Sequence, residues 1–596
     1  MNLDLVLGMS CNNKGSLACD QNSGLVAHTA SGVLVLLNTR TNCQVKYFHV
    51  RKNCVSSASF SKDGRYVTTG ETGFRPAVRV WRVKDGDEVA TLYGHEFGIK
   101  CVRFSPCMRE IISVGMEHDN VVNVWAWPKG DRLAANNIVD VIRAVDYSEC
   151  GNFFVTSGCR HIKFWYPKQT IDESRLSKAV PNVQPLYGRP GLLGDCKDHM
   201  FIDVVCGTGS SASSVFAITR AGGLVIISAT KRKVKTHKSL NGMKGTCIKA
   251  HDRVLFIGFS NGDVHMFNAI DLVHLGALPL PTFFRRTGLS GGGVHTLTFN
   301  LCTSYLTTAY NNSSLCVWDL QDPANVKQKY VAVYHNEGIA QLDFYSKPDA
   351  LSTSGGVRET LVTVSHDSTV RLWGVLIDTT ICYDKLNILS AEDGSPRLQG
   401  SEPRTLAGSG VITTIKVSTD RKYIVTGNQA GTICVYDKES IALAFTVKAH
   451  SREITCLAFY TDTSSGQVVL VSGSRDRLVQ VMDATSGFKI VSTLNIHSSS
   501  ITAVKVCRAG NKVCILSSAS DRLINLSQAC TDNTQSSPTS PGQSKQLSTF
   551  QLTRCLACVS SATDLAVDQR TLQMAVGFQD GNIRVFELAQ LQVSVV

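Results

Sequence analysis

One pattern governs what this chain can fold into. Short runs that alternate in character and close on an aromatic ring recur along it: VRVWRV at 78–83, VNVWAW at 122–127, IKFWYP at 162–167, LCVWDL at 315–320 and VRLWGV at 370–375. Weaker copies stand at 264–269 (VHMFNA), 433–438 (ICVYDK), 479–484 (VQVMDA) and 583–588 (IRVFEL). Alternation of this kind is the period of a strand with two different faces. The closing positions Trp81, Trp125 and Trp165, and later Tyr436 and Met482, fall 40 to 46 residues apart.

That period predicts an all-β chain of WD-repeat β-propeller blades. A lone four-stranded sheet cannot bury both faces, whereas sheets packed radially bury one another. Seven blades are expected over 1–334, the fifth of them degenerate around SVFAITRAGGLVIIS. About five more are expected over 335–590, ending in VRLW, ICVYD, VQVMD, SDRLINLS and IRVFEL, so the second propeller is expected to be incomplete. The tryptophan should end the third strand of its blade, and its buried indole N–H needs an acceptor. A chain of serine or threonine, histidine and aspartate can supply one. Two blades have the residues for it: His95, Asp119 and Trp125, and His335, Asp367 and Trp373 with Thr363 or Ser365 between. Both aspartates precede their tryptophan by six residues, which places them in the turn feeding that strand. Ala430, Asn312 and Ser527 occupy positions where the pattern wants aspartate or an aromatic, so those blades are expected to lose part of the network.

Of the 596 residues 43% are hydrophobic and 18% charged, the balance of a chain with sizeable cores. No apolar run reaches membrane-spanning length, and MNLDLVLGMSCNNKG carries no basic leader, so a cytoplasmic protein without a membrane partner is expected. The 21 cysteines then read as thiols. One CxxC occurs, Cys555 to Cys558, without the second pair that a tetrahedral zinc site usually draws on, and no metal or cofactor is expected. The net charge of +12 would steer acidic partners. Its densest run, KRKVKTHK at 231–238, falls where a strand is expected and reads as a solvated face. No basic run interleaves with aromatics, so nucleic acid is not an expected partner.

Three inserts exceed what blade connections need: 277–293, 387–409 and 530–549. The last two are small and polar and are expected to be mobile. They hold Ser395, Ser537 and Ser540, each followed by proline, which makes them candidate phosphorylation sites for a proline-directed kinase.

HTASGVLVLLN, GETGFRPAVRVW, GHEFGIKCVRFSP, HDNVVNVWAW, FVTSGCRHIKFWY and GRPGLLGD occur in this order. Together they resemble the family of the mitogen-activated protein kinase-binding protein and its paralogue, the microcephaly-associated WD-repeat scaffold of the spindle pole. The resemblance is dense over about 1–270 and continuous to about 590. It implies tandem propellers of about fourteen blades and a scaffold role in c-Jun N-terminal kinase signalling. It also implies a place at the centrosome and spindle pole in mitosis, with kinase-pathway components, spindle proteins and microtubules as partners. The family's C-terminal kinase-docking and self-association region is expected to be absent from this chain.

A non-catalytic scaffold for protein–protein interaction is therefore the first expectation. A substrate receptor of a ubiquitin ligase is an alternative, although no adaptor-binding segment is visible. A propeller hydrolase would need acidic and histidine side chains converging on the channel. Here those residues belong mostly to the turn networks, and no G-x-S-x-G, phosphate loop or HExxH occurs.

Overall fold

The structure is a computed structural model. It describes the chain apart from 168–182, 282–291, 347–358, 376–380, 383–387, 391–410, 439–441, 462–467, 530–549, 589–596 and the short gaps 1–2, 4, 11–12, 51, 139, 241, 323–324 and 510–511. The described residues are almost wholly strand and turn, in twelve antiparallel-built sheets divided between two compact units, Met1–Tyr334 and His335–Val596.

The first unit holds seven sheets, from Leu17–Cys19 in the first to Lys327–Val333 in the seventh. Within each the strands pair in chain order, with an inner strand first and an exposed outer strand last. The second sheet shows the pattern: Cys54–Phe60, Tyr66–Thr72, Ala77–Arg82 and Glu88–Tyr93. Cores form between sheets rather than within them. Leu34, Leu36 and Phe48 of the first pack on Val55, Val67 and Trp81 of the second, and the pairing repeats around the unit. The seventh sheet returns to the first. Asn300 donates to the carbonyls of Asp20 (2.7 Å) and Ser23 (2.8 Å), and Lys14 Nζ donates to the His295 carbonyl (2.7 Å). The ring therefore closes on itself. The segment before the first sheet forms no strand among its described residues. It is tied to that sheet by Ser10 N–H to Thr29 O (2.7 Å) and by Val6 to the Gln44 amide.

The second unit holds five sheets with four inter-sheet cores. Its end faces are apolar and open. Ile339, Leu342 and Phe344 on the inner strand of the eighth sheet, and Ile583 and Val585 of the twelfth, are each at least half exposed.

Two connections went unread in the sequence. About twenty residues separate Trp165 from the outer strand Gly188–Pro190 of the fourth sheet, and 347–358 interrupts the first hairpin of the eighth. The insert expected at 387–409 needs one correction: Ile388–Ser390 is a strand, paired antiparallel to Thr369–Val375. An outer position beside that strand was open to any extended segment in reach. Ser395, Ser537 and Ser540 lie outside the described residues.

Candidate functional site

The third strand of a blade must meet the second across a tight turn, and aspartate closes that turn. Thr369, Leu478 and Leu523 each donate N–H to the aspartate two residues earlier, at 3.0 Å. The residue between, Ser368, Arg477 or Arg522, takes a left-handed φ of 61–75°. The carboxylate thereby replaces a backbone acceptor in the turn. Its second oxygen faces the loop that leads into the inner strand. There a histidine stands four residues before the strand: His335 before Ile339, His450 before Ile454, His497 before Ile501.

In the eighth sheet the network is continuous. Trp373 Nε1 donates to Thr363 Oγ1 (2.8 Å), Thr363 meets His335 Nε2 (2.8 Å), and His335 Nδ1 meets Asp367 (3.2 Å). Thr363, not Ser365, is the link; Ser365 donates to the Glu337 carbonyl. Burial alone would raise the Asp367 carboxyl. Hydrogen bonds from His335, Thr369 and the Asn336 N–H outweigh it and hold the carboxyl far below its ordinary value. Arg371, buried beside it, is pushed down to about 10.

The third sheet is similar but looser. Trp125 donates to Ser113 (2.8 Å), which meets His95 Nε2 (2.7 Å). His95 Nδ1 lies 3.5 Å from Asp119, an electrostatic contact rather than a hydrogen bond. Asp119 instead accepts the N–H groups of Glu96 (3.0 Å) and Phe97 (3.2 Å). Burial pushes His95 down to about 4, so the ring is neutral.

The expectation of only two such networks is corrected. His450, Ser472 and Asp476 form a third, with contacts of 2.8 and 3.0 Å, and His497, Ser517 and Asp521 a fourth at the same distances. Both survive without tryptophan: Met482 and Ser527 stand six residues after the aspartates. Loss of aspartate is also locally compensated. Asn312 keeps the turn through Ser314 N–H (3.2 Å), and opposite Ala430 the turn uses Gly431 and the Asn428 amide (2.8 Å to Thr432 N–H). The legible signals were histidine at the blade start and aspartate at fixed spacing; the missing tryptophan hid them.

These ties hold loops that carry exposed rings. Phe97 (56% exposed) follows His95 in the loop before the inner strand and sits edge-on to His118, with ring centres 5.6 Å apart, and Phe74 (82% exposed) lies in the turn between the second and third strands of the second sheet. Sequence alone did not single them out, because exposure is invisible in it.

The inner strands of all seven sheets of the first unit line a central cavity of about 170 Å³. Its two carboxylates are committed. Asp203 accepts the N–H groups of Val204 (2.9 Å) and, one sheet on, Ile248 (3.0 Å). Asp146 accepts the Cys206 N–H (2.9 Å) beside Arg103 (3.8 Å). Burial raises the thiols of Cys19, Cys101 and Cys247, the last to about 11, so they are protonated and poor nucleophiles. The described cysteines are free.

Repeated four-stranded sheets, tryptophans closing third strands and Ser/Thr–His–Asp ties define a WD-repeat β-propeller protein. The family model "WD domain, G-beta repeat" matches 86–126, 400–437 and 442–483. Over 98% of its length the chain is 34% identical to mouse mitogen-activated protein kinase-binding protein 1 and 30% identical to mouse WD repeat-containing protein 62, and it belongs to the family of these proteins. It spans 40% and 39% of their respective lengths. A shorter similarity, 28% identity over 28% of each chain, links it to mouse cilia- and flagella-associated protein 52.

Proposed function

We propose that this chain is a non-catalytic scaffold in c-Jun N-terminal kinase signalling, and that the loop end of the second and third blades is a surface on which the kinase docks. The observation that carries this is the pairing of exposed aromatic rings with rigid loops. Phe97 is displayed on backbone whose N–H groups are held by Asp119, so little ordering entropy is lost when a partner covers it. Aromatic anchors of this kind dominate protein interfaces. A mitogen-activated protein kinase as partner is suggested by the name of the relative, and c-Jun N-terminal kinase is the member of that class that we propose. His95, His335, His450 and His497 and their aspartates are spent on turns, and the cavity thiols are protonated. A cytoplasmic location, including the centrosome and spindle pole, accompanies the same proposal.

Calorimetric titration of the chain with purified c-Jun N-terminal kinase tests it. Phe97→Ala should cost about 2 kcal/mol of binding while leaving the melting temperature unchanged. Binding that is unaffected by both Phe97→Ala and Phe74→Ala would place the kinase elsewhere.

A further inference from the structure

The fifth sheet of the first unit lacks the histidine–aspartate tie of the third sheet. Its third strand, Gly223–Ser228, has no tryptophan, and its strands Phe201–Cys206 and Ser214–Thr219 are not linked by a histidine–aspartate pair among the described residues. At the same end of this sheet stand three metal-ligating side chains from two elements. Cys196 closes the short helical turn Gly194–Cys196 in the loop before the inner strand. His199 follows three residues later, its N–H bonded to the Cys196 carbonyl (3.1 Å). His237 comes from the outer strand Val234–Ser239, opposite Val225.

The ligand atoms of Cys196, His199 and His237 all lie within 4.8 Å of one another, and no other group of three this close occurs among the described residues. The two imidazoles have ring centres 5.9 Å apart. Cys196 is buried, and His199 Nδ1 is shielded from solvent with no hydrogen-bond partner. A shielded ring nitrogen without a partner costs free energy, which a ligand would recover. Room for His237 is made by Gly223, where a Cβ would lie 2.6 Å from His237 Nε2.

We propose that Cys196, His199 and His237 form a zinc-binding site. A Cys-x-x-His turn plus one distant histidine gives three protein ligands, and water takes the fourth tetrahedral position. The thiol gives its proton to solvent as sulfur binds the metal; both imidazoles bind as neutral rings. The ion joins the loop before the inner strand to the outer strand, whereas in the third and eighth sheets hydrogen bonds tie the same loop to the second strand and the turn after it. The Cys555–Cys558 pair set aside on spacing grounds is unrelated to it.

The test is optical titration of the whole reduced chain with Co²⁺, followed by displacement with Zn²⁺. A tetrahedral cobalt spectrum with a thiolate charge-transfer band should saturate at about one equivalent and vanish when zinc is added. His237→Ala, a substitution at an exposed position, should weaken binding about tenfold or more with an unchanged circular dichroism spectrum. Cys196→Ser should remove the charge-transfer band. A titration of His237→Ala superimposable on the unsubstituted chain would overturn the site, as would a thiolate band that persists in Cys196→Ser. Either result would mean that other thiols hold the metal.

Discussion

His95, His335, His450 and His497 are all lowered by burial, which leaves each ring neutral in the fold. The consequence for pH follows from linkage. An unfolded histidine titrates near 6.5, so below that pH the unfolded chain binds protons that the folded chain refuses. Stability is full above about pH 6.5 and falls as pH drops toward the folded value, about 4 for His95. For His95 alone the loss between pH 7 and pH 5 is on the order of 2 kcal/mol. Thermal melting should therefore move down steadily over this range, and His95→Gln should show a shallower slope. A melting temperature flat from pH 7 to pH 5 would mean that these rings take up protons in the fold as readily as in the unfolded chain. Asp367, held low by its donors, acts in a separate window: its contribution is present above the unfolded carboxyl value near 4 and lost below it.

Between neighbouring sheets a hydroxyl and a glycine recur as a clasp. Thr413 Oγ1 donates to the Gly427 carbonyl (3.2 Å) of its own sheet and faces the Ile454 carbonyl (2.6 Å) of the next. Thr455 relates likewise to Gly473 (3.1 Å) and Ile501 (2.8 Å), and Ser56 to Gly70 (2.9 Å) and Ile99 (2.5 Å). Each glycine lets the next strand's first isoleucine approach: a Cβ at Gly427 or Gly473 would lie within 2.9 Å of Ile454 or Ile501 side-chain atoms. The twelfth sheet carries the same pair, Thr563 to the Gly577 carbonyl (2.9 Å), on its open face. The two threonines should respond differently to loss of the hydroxyl. Thr413→Val, which removes the one hydroxyl shared between two carbonyls, should cost about 1–3 kcal/mol, whereas Thr563→Val at an exposed position should stay within about 0.5 kcal/mol. Denaturant unfolding of the two variants gives the comparison. Equal effects would show that the bond within the sheet, not the contact between sheets, carries the energy.

For the molecule as a whole, the net charge of +12 is the property that acts at distance. If the chain meets microtubules through the acidic surfaces of tubulin, co-sedimentation should weaken as salt rises from 50 to 300 mM, because screening shortens the reach of exposed charges. Co-sedimentation indifferent to salt would assign the contact to apolar patches instead, such as the exposed faces at Ile339 and Ile583.

Strand period and blade spacing alone specified an all-β propeller protein, because alternation and a repeat of about forty residues are local properties that a linear chain displays openly. Trp125 and Trp373 were legible for the same reason: aspartate and tryptophan lie on one hairpin, six residues apart. The His450 and His497 networks have the same spacing but end on Met482 and Ser527, so a reading anchored on tryptophan passed over them. Exposure of Phe74 and Phe97 and the clasps from sheet to sheet depend on neighbours more than forty residues apart in some cases, and no local pattern encodes them. Convergence of Cys196 and His199 on His237 belongs to the same class. It needs an outer strand and a loop, separated by three complete strands, to fold to one end of a single sheet, and that was decided by packing in three dimensions.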